Sequence, residues 1–307
     1  MQKTTARTRS FVLALVLLSW TAAVRGAEVA VLKSTDAAAW RPTLDALRRA
    51  ASGHNLTEYD LRSDPAEALR VVQSIKGKAA VIVALGPLAA QTARESVPEI
   101  PLVFSMVQDP GRLGLLNVLN VTGIANQVPI KNQLAAFRMV NPRGVRIGVI
   151  YNQNNSGPIV QEALKAAPVV RLAIMDRPVA SAREVPESLR SLLKGAEAID
   201  ALWIPPDPIL LGEEARRFIL GEMLKAGKPV YSSLATLVAE GALVSNAPDL
   251  ANVGEQAADL VNRLAAGEKN RIDVVIPRAE LVINKKIADR LKIEIPADAL
   301  RAASRTF

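Results

Sequence analysis

The sequence predicts an α/β protein made of two doubly wound lobes, each a parallel sheet with helices on both faces. Three observations carry this reading. From Glu28 onward, short β-branched apolar runs alternate with amphipathic stretches of helical length, the pattern of right-handed strand–helix–strand units. Several runs, residues 79–85 above all, are apolar without alternation, as strands buried on both faces of a parallel sheet must be. Two segments, Val81-Ile-Val-Ala-Leu-Gly-Pro87 and Leu202-Trp-Ile-Pro-Pro-Asp-Pro208, each drive a strand straight into a helix start, one in each half of the chain.

The elements follow in order. Val29-Ala-Val-Leu32 reads as a strand. Trp40, Leu44, Leu47 and Ala51 then share one helical face, and Gly53 closes that helix. Asp64-Pro65 caps a second helix that reaches Ile75 and ends at Gly77. The strand over 79–85 turns at Gly86-Pro87 into a helix through Arg94. Another buried strand spans 101–107 and stops at Gln108-Asp109-Pro110-Gly111. A second cycle opens after Val121-Thr-Gly-Ile124, with a helix over 130–140, a break at Asn141-Pro142 and a strand over 145–151. Further strands are expected at 169–175, 198–204 and 229–231, separated by helices at 182–193, 209–226 and 234–240. A long helix over 249–266 puts Leu250, Val253, Ala257, Leu260, Val261 and Leu264 on one side. Two short strands and a terminal helix close the chain.

The N-terminus fixes the compartment. Lys3, Arg7 and Arg9 precede an apolar run over 11–18 that continues patchily to Val24, and a small-residue exit follows at Arg25-Gly26-Ala27. Basic head, short apolar middle and small-residue exit make residues 1–27 a secretory signal peptide, cut after Gly26 or Ala27. The run is shorter than the roughly 20 apolar residues a spanning helix needs. With no Cys in the chain, no lipid attaches at the signal junction and no disulfide forms. Four of the 38 basic residues and none of the 30 acidic ones leave with the leader, which lowers the formal charge from +8 to +4. No long Lys/Arg block remains, so nucleic acid is not an expected partner.

The usual signatures of catalysis are missing. His54 is the single histidine and sits beside Gly53 at a helix end. One His and no Cys assemble neither a zinc site nor a His-based triad, and no G-x-S-x-G, Walker A or G-x-G-x-x-G sequence occurs. The chain is therefore expected not to be an enzyme, with no cofactor and no metal. What remains are polar residues at the C-terminal ends of the predicted strands, where open α/β sheets bind ligands. They are Ser34, Thr35 and Asp36; Gly86 and Pro87; Gln108 and Asp109; Tyr151 and Asn152; Asp207; and Ser232 and Ser233. Helix starts at Pro87, Pro208 and Leu234 would offer free N–H groups to an anion. The same residue types are the usual N-caps and turn formers, so each position has two readings, and Asp109-Pro110-Gly111 is the strongest turn signal. Trp203 lies in a buried strand and reads as core. Trp40, at a helix start near the first strand end, is either packing or a stacking surface.

The chain resembles the ABC-transporter substrate-binding proteins of the type I periplasmic binding fold, the family that includes tryptophan- and phenylalanine-binding members. The resemblance rests on residues 79–87, Ile100-Pro-Leu-Val-Phe-Ser-Met-Val-Gln-Asp-Pro110, Val121-Thr-Gly-Ile124 and Ile147-Gly-Val-Ile-Tyr-Asn152. It continues through Ala201-Leu-Trp-Ile-Pro-Pro-Asp207, Lys228-Pro-Val-Tyr-Ser-Ser233 and residues 281–293, in order and at matching spacing. It implies a ligand held between two lobes that are joined by three crossings, near 123–127, 241–245 and 271–276. The lobes would then be 28–123 with about 245–272, and 124–244 with about 273–307. The implied function is a periplasmic solute-binding protein, acting as a monomer, that delivers a small molecule to an ABC permease in the inner membrane. The alternative is a periplasmic sensory module for a membrane histidine kinase or chemoreceptor. Two departures bear on the ligand. Many members follow the last Ser with Asp where this chain has Leu234, and residues 245–249 lack a Gly/Tyr-rich form. An α-ammonium would lack that carboxylate, so the expected ligand is a small polar or anionic molecule and not a free aromatic α-amino acid.

Overall fold

A computed structural model gives the fold, and the structure describes residues 26–196 and 198–307. The expected signal peptide, up to Arg25, lies outside the described residues. The first lobe runs through β1 (Glu28–Lys33), α1 (Arg41–Ala50), β2 (Asn55–Asp60), α2 (Pro65–Ile75), β3 (Val81–Leu85), α3 (Pro87–Ser96), β4 (Leu102–Ser105) and β5 (Val121–Gly123). Its five strands form a wholly parallel sheet in the order β2-β1-β3-β4-β5. Alternate residues of the same strands feed two separate cores. Leu32, Ile82 and Phe104 pack with Val71 and Val72 of α2 and Ala89 of α3. Val31, Val83 and Val103 pack with Leu44 and Leu47 of α1. Burial on both faces is the reason Val81–Leu85 shows no polar alternation.

The second lobe continues with α4 (Ile130–Val140), β6 (Arg146–Tyr151), α5 (Gln153–Ala166), β7 (Ala173–Pro178), α6 (Val185–Leu193), β8 (Ala201–Ile204), α7 (Pro208–Leu211) and α8 (Glu213–Lys225). It is completed by β9 (Val230–Ser232), α9 (Thr236–Glu240) and β10 (Val244–Pro248). After α10 (Leu250–Ala265) come β11 (Ala279–Ile283), α11 (Lys285–Leu291), α12 (Ala297–Ala302) and β12 (Arg305–Thr306). The second sheet has the order β12-β11-β10-β9-β8-β6-β7, with β11 antiparallel to β10. Trp203 and Tyr231 are fully buried on one of its faces, Ile204 and Met223 on the other.

Three segments join the lobes. Ile124 bridges Val275, with Ala125 N–H donating to Val275 O (2.9 Å) and Val275 N–H to Gly123 O (2.8 Å). Pro248 leads directly through Asp249 into α10, which belongs to the first lobe. There α10 lies along α1, with Thr43 Oγ1 donating to Leu250 O at 2.7 Å. Gly254 permits that approach, because a Cβ on it would sit 2.2 Å from Thr43 O. The second connection thus falls at 248–250 and not at 241–245. Residues 244–248 are a strand of the second sheet, paired with β9 and β11.

Four further elements differ from the sequence reading. The strand expected at 169–175 is β7, which starts only at Ala173 because Ala167–Val170 forms a 3₁₀ turn closed by Arg171 in the left-handed region. β2 is an edge strand of sequence Asn-Leu-Thr-Glu-Tyr-Asp, half-exposed along its length, so its burial pattern leaves no apolar run to read. α5 forms across Gln-Asn-Asn-Ser-Gly-Pro, a turn-like composition, because Asn152 caps it and Pro158 is accommodated inside. The single helix expected over 209–226 is two, broken at Gly212.

β5 runs parallel to β4 and β10 parallel to β9, and both pass straight into the connections. The C-terminal strand ends of each lobe therefore lie on the side of the other lobe. A cleft between two facing rows of strand ends results.

Candidate functional site

On the first-lobe side, Ser34 follows β1 and is buried. Its N–H donates to Leu85 O (2.9 Å), and its Oγ accepts from Ala89 N–H (3.0 Å) in the first turn of α3. Gly86 N–H donates to Ser105 O (2.9 Å). Gly86 has φ +89°, and a Cβ there would lie 2.7 Å from Ser34 Oγ and 3.0 Å from Cη2 of Trp40. Both its conformation and its neighbours therefore require glycine. Thr35, Asp36, Pro87, Gln108 and Asp109 are exposed. Asp36 Oδ1 accepts from Lys33 Nζ at 2.8 Å. That hydrogen bond holds the Asp36 carboxyl below the usual carboxylate range and the Lys33 ammonium above its own. Asp109 Oδ1 accepts from Arg112 N–H at 2.9 Å, the turn that its Pro-Gly context announces.

On the second-lobe side, buried Tyr151 donates its hydroxyl to Asp176 Oδ2 at 3.1 Å. Burial pushes its phenol upward, and the Asp176 contact adds to the shift. Asn152 caps α5 through Asn154 N–H and donates from Nδ2 to Val179 O (2.9 Å). Asp207 has no exposed surface. Its Oδ2 accepts from Asn152 N–H (2.7 Å), and its Oδ1 from Ile209 N–H (3.0 Å) and Asn155 Nδ2 (3.4 Å). Ser232 Oγ accepts from Leu234 N–H (3.0 Å). Ser233 stands in a buried chain: Trp203 Nε1 donates to Ser233 Oγ (3.1 Å), which donates to Gln133 Oε1 (2.8 Å). Gln133 Nε2 in turn donates to Val128 O (2.8 Å), tying the sheet to the segment that arrives from the first lobe.

The structure brings Ser34, Gly86 and Trp40 into contact, and joins Asn152 to Asp207. No hydrogen bond among the described residues links the first-lobe group to the second-lobe group. Gln133 and Asn155 were not read from sequence as site residues. Gln133 had a signal, being a polar residue on the apolar stripe of α4 beside Ile130, Leu134 and Phe137. Asn155 had none apart from the fold. His54 accepts from Ala27 N–H at Nδ1 (3.1 Å) and meets Asn262 Oδ1 at Nε2 (3.0 Å), a structural role. Among the described residues no cluster of His, Cys, Asp or Glu is placed to hold a metal ion, and no helix is long and apolar enough to cross a membrane. A cavity of about 320 Å³ near Arg143, Asp200 and Lys228 lies at the opposite, N-terminal ends of the second sheet's strands.

A family model described as ABC transporter substrate binding protein matches residues 44–307. The chain belongs to this family. Its members are substrate-binding proteins and not enzymes. A tyrosine-binding protein of Clostridioides difficile (strain R20291) is 25% identical to this substrate-binding protein over 238 residues, 74% of this chain and 67% of the relative. The ABC domain of Streptococcus pneumonia solved with L-Trp superposes with a TM-score of 0.67 at 21% identity, covering 92% of this chain and 100% of that one. The ligand-free, open structure of a substrate-binding protein with adhesive properties from Clostridium difficile gives a TM-score of 0.79 at 20% identity, over 91% and 98% of the two chains. The fold of this substrate-binding protein is the type I periplasmic binding fold.

Proposed function

We propose that this chain is an exported solute-binding protein that captures a small molecule between its lobes in the periplasm and delivers it, as a monomer, to an ABC permease of the inner membrane. The observation that carries the reading is the cleft itself, two rows of strand ends facing each other across three connecting segments. Closure about those segments would bury the ligand. The exposed members of the first row, Thr35, Asp36, Pro87, Gln108 and Asp109, would contact it directly. Ser34, Gly86, Tyr151, Asn152, Asp207, Ser232 and Ser233 would shape the loops that do so. The relatives described above with tyrosine or L-Trp make aromatic compounds reasonable first probes. The acids at these strand ends argue against an α-ammonium on the ligand. Asp207 is buried and bonded to three donors, Asp36 is paired with Lys33, and Asp109 closes its own turn.

A thermal-shift screen of the mature protein against a metabolite library tests the function. A ligand at 100 times its dissociation constant adds about 2.7 kcal/mol of stability. Failure of every small molecule to raise the melting temperature would count against solute binding. Intact-mass analysis of periplasmic extract tests export, with loss of the first 26 or 27 residues expected. A chain that keeps its N-terminus, or remains in the cytosol, would refute it.

A further inference from the structure

We propose that a groove on the second lobe, between α8 and α11, is a docking surface for an acidic amphipathic helix of a partner protein. The proposal does not depend on what the cleft binds. Two adjoining hollows of about 540 and 590 Å³ form the groove and share Glu240, Gly241, Ile287 and Arg290. It lies away from the cleft, because Gly241 closes α9 just before β10 begins, at the end of the sheet opposite the cleft.

One wall is the face of α8 that carries Arg217, Leu220, Gly221 and Leu224, spaced i, i+3, i+4 and i+7. α8 buries only Ile219 and Met223, which leaves Leu220 and Leu224 half-exposed along the groove. Glycine inside a helix is destabilising relative to alanine. Gly221 is nevertheless in the middle of α8, and a Cβ on it would meet nothing within 4 Å. No neighbour in this chain therefore requires glycine there. The bare backbone instead leaves room for another helix to approach α8 closely, since the side chains at a crossing set the distance between two helices. The charge of the groove selects the partner. Arg216, Arg217, Lys286 and Arg290 line it against Glu240 and Asp289, an excess of two positive charges. Arg216 pairs with Glu240 (2.6 Å) and Arg217 with Glu213 (2.8 Å). Lys286 and Arg290 are exposed, and neither has an ion pair among the described residues. Leucines beside bare glycine, with cations along the rim, match a helix that has an apolar stripe and acidic flanks.

The test uses the mature protein and a fluorescein-labelled helical peptide with leucine and alanine at i, i+3, i+4 and i+7 and glutamate on its flanks. A scrambled peptide of the same composition is the control. By fluorescence anisotropy the patterned peptide should bind roughly tenfold or more tightly than the scrambled one. Gly221→Leu fills the open space, and Lys286→Glu with Arg290→Glu reverses the rim, so each should weaken the peptide roughly tenfold or more. Gly221→Ala should raise the melting temperature by about 2–4 °C. Equal binding of the two peptides, no binding, or full affinity in Gly221→Leu overturns the proposal. A lower melting temperature in Gly221→Ala also overturns it, since the glycine would then serve the chain's own packing. Self-association in sedimentation, or co-sedimentation with phosphatidylglycerol vesicles, lost in Gly221→Leu would name a second copy or a membrane as the occupant and overturn the acidic helix.

Discussion

Replacing Asp207 by Ala removes a carboxylate that organises the second-lobe side of the cleft. Asp207 is fully buried and gathers Asn152 N–H, Ile209 N–H and Asn155 Nδ2. Loss of the cap on α7 costs about 0.5–2 kcal/mol. Stranding the Asn152 N–H, 2.7 Å from an oxygen that is no longer there, adds roughly 1–3 kcal/mol. The two effects share neighbours and will not add fully, so about 2–4 kcal/mol is expected. For a domain of this size, 1 kcal/mol moves the melting temperature by about 2–4 °C, which puts Asp207→Ala roughly 4–16 °C below the parent. Asp207→Asn keeps the shape and one acceptor and should lose about half as much. Calorimetry of the ligand-free proteins decides the matter. A melting temperature within 2 °C of the parent (about 1 kcal/mol or less), with weakened ligand binding, would show that Asp207 serves the ligand directly and that its internal hydrogen bonds carry little.

Three further predictions concern the fold that holds the site. Gly254→Ala would put a Cβ 2.2 Å from Thr43 O and 2.9 Å from Leu47 N, both backbone atoms, so α1 and α10 must separate. Denaturant unfolding should show a loss of about 1–3 kcal/mol, and an unchanged midpoint would mean the two helices are not so closely packed. Tyr151 and Tyr231 both have phenols raised mainly by burial. The unfolded chain ionises them above about pH 10 while the folded chain keeps them protonated. Stability should therefore be full below that pH and fall above it, and a flat profile to higher pH would contradict this. Asp200 works in the opposite direction. Burial raises its carboxyl, but hydrogen bonds from Arg146 and Val145 N–H and the Arg146 charge outweigh that, so it lies below the ordinary range. Its contribution is present above about pH 4 and lost as the pH falls further, so Asp200→Asn should flatten the acid limb of the stability curve.

The fold was legible wherever a strand is buried on both faces. β1, β3, β4, β6 and β8 announce themselves as apolar runs, and Gly86-Pro87 and Asp207-Pro208 mark helix starts that the structure also has. Segments that depend on a neighbour were not legible. β2 pairs at an edge and shows little of itself in its composition. α5 hides behind turn-like residues because its first cap comes from Asn152 and its start is fixed by Asp207, far along the chain. β10 reads as a connection because its pairing partners lie in β9 and β11. The same holds for the site. Residue types at strand ends pointed to a cleft, but the sequence offered both ligand contact and cap for each. The choice depends on long-range pairs such as Ser34 with Ala89 and Ser233 with Gln133. No local pattern encodes these.

The central claim, a cleft that closes about three connecting segments, is tested most directly by small-angle X-ray scattering of the mature protein with and without a ligand taken from the thermal-shift screen. The account predicts a saturable fall in radius of gyration and maximum dimension as ligand fills the cleft. A scattering curve unchanged at saturating ligand would contradict it.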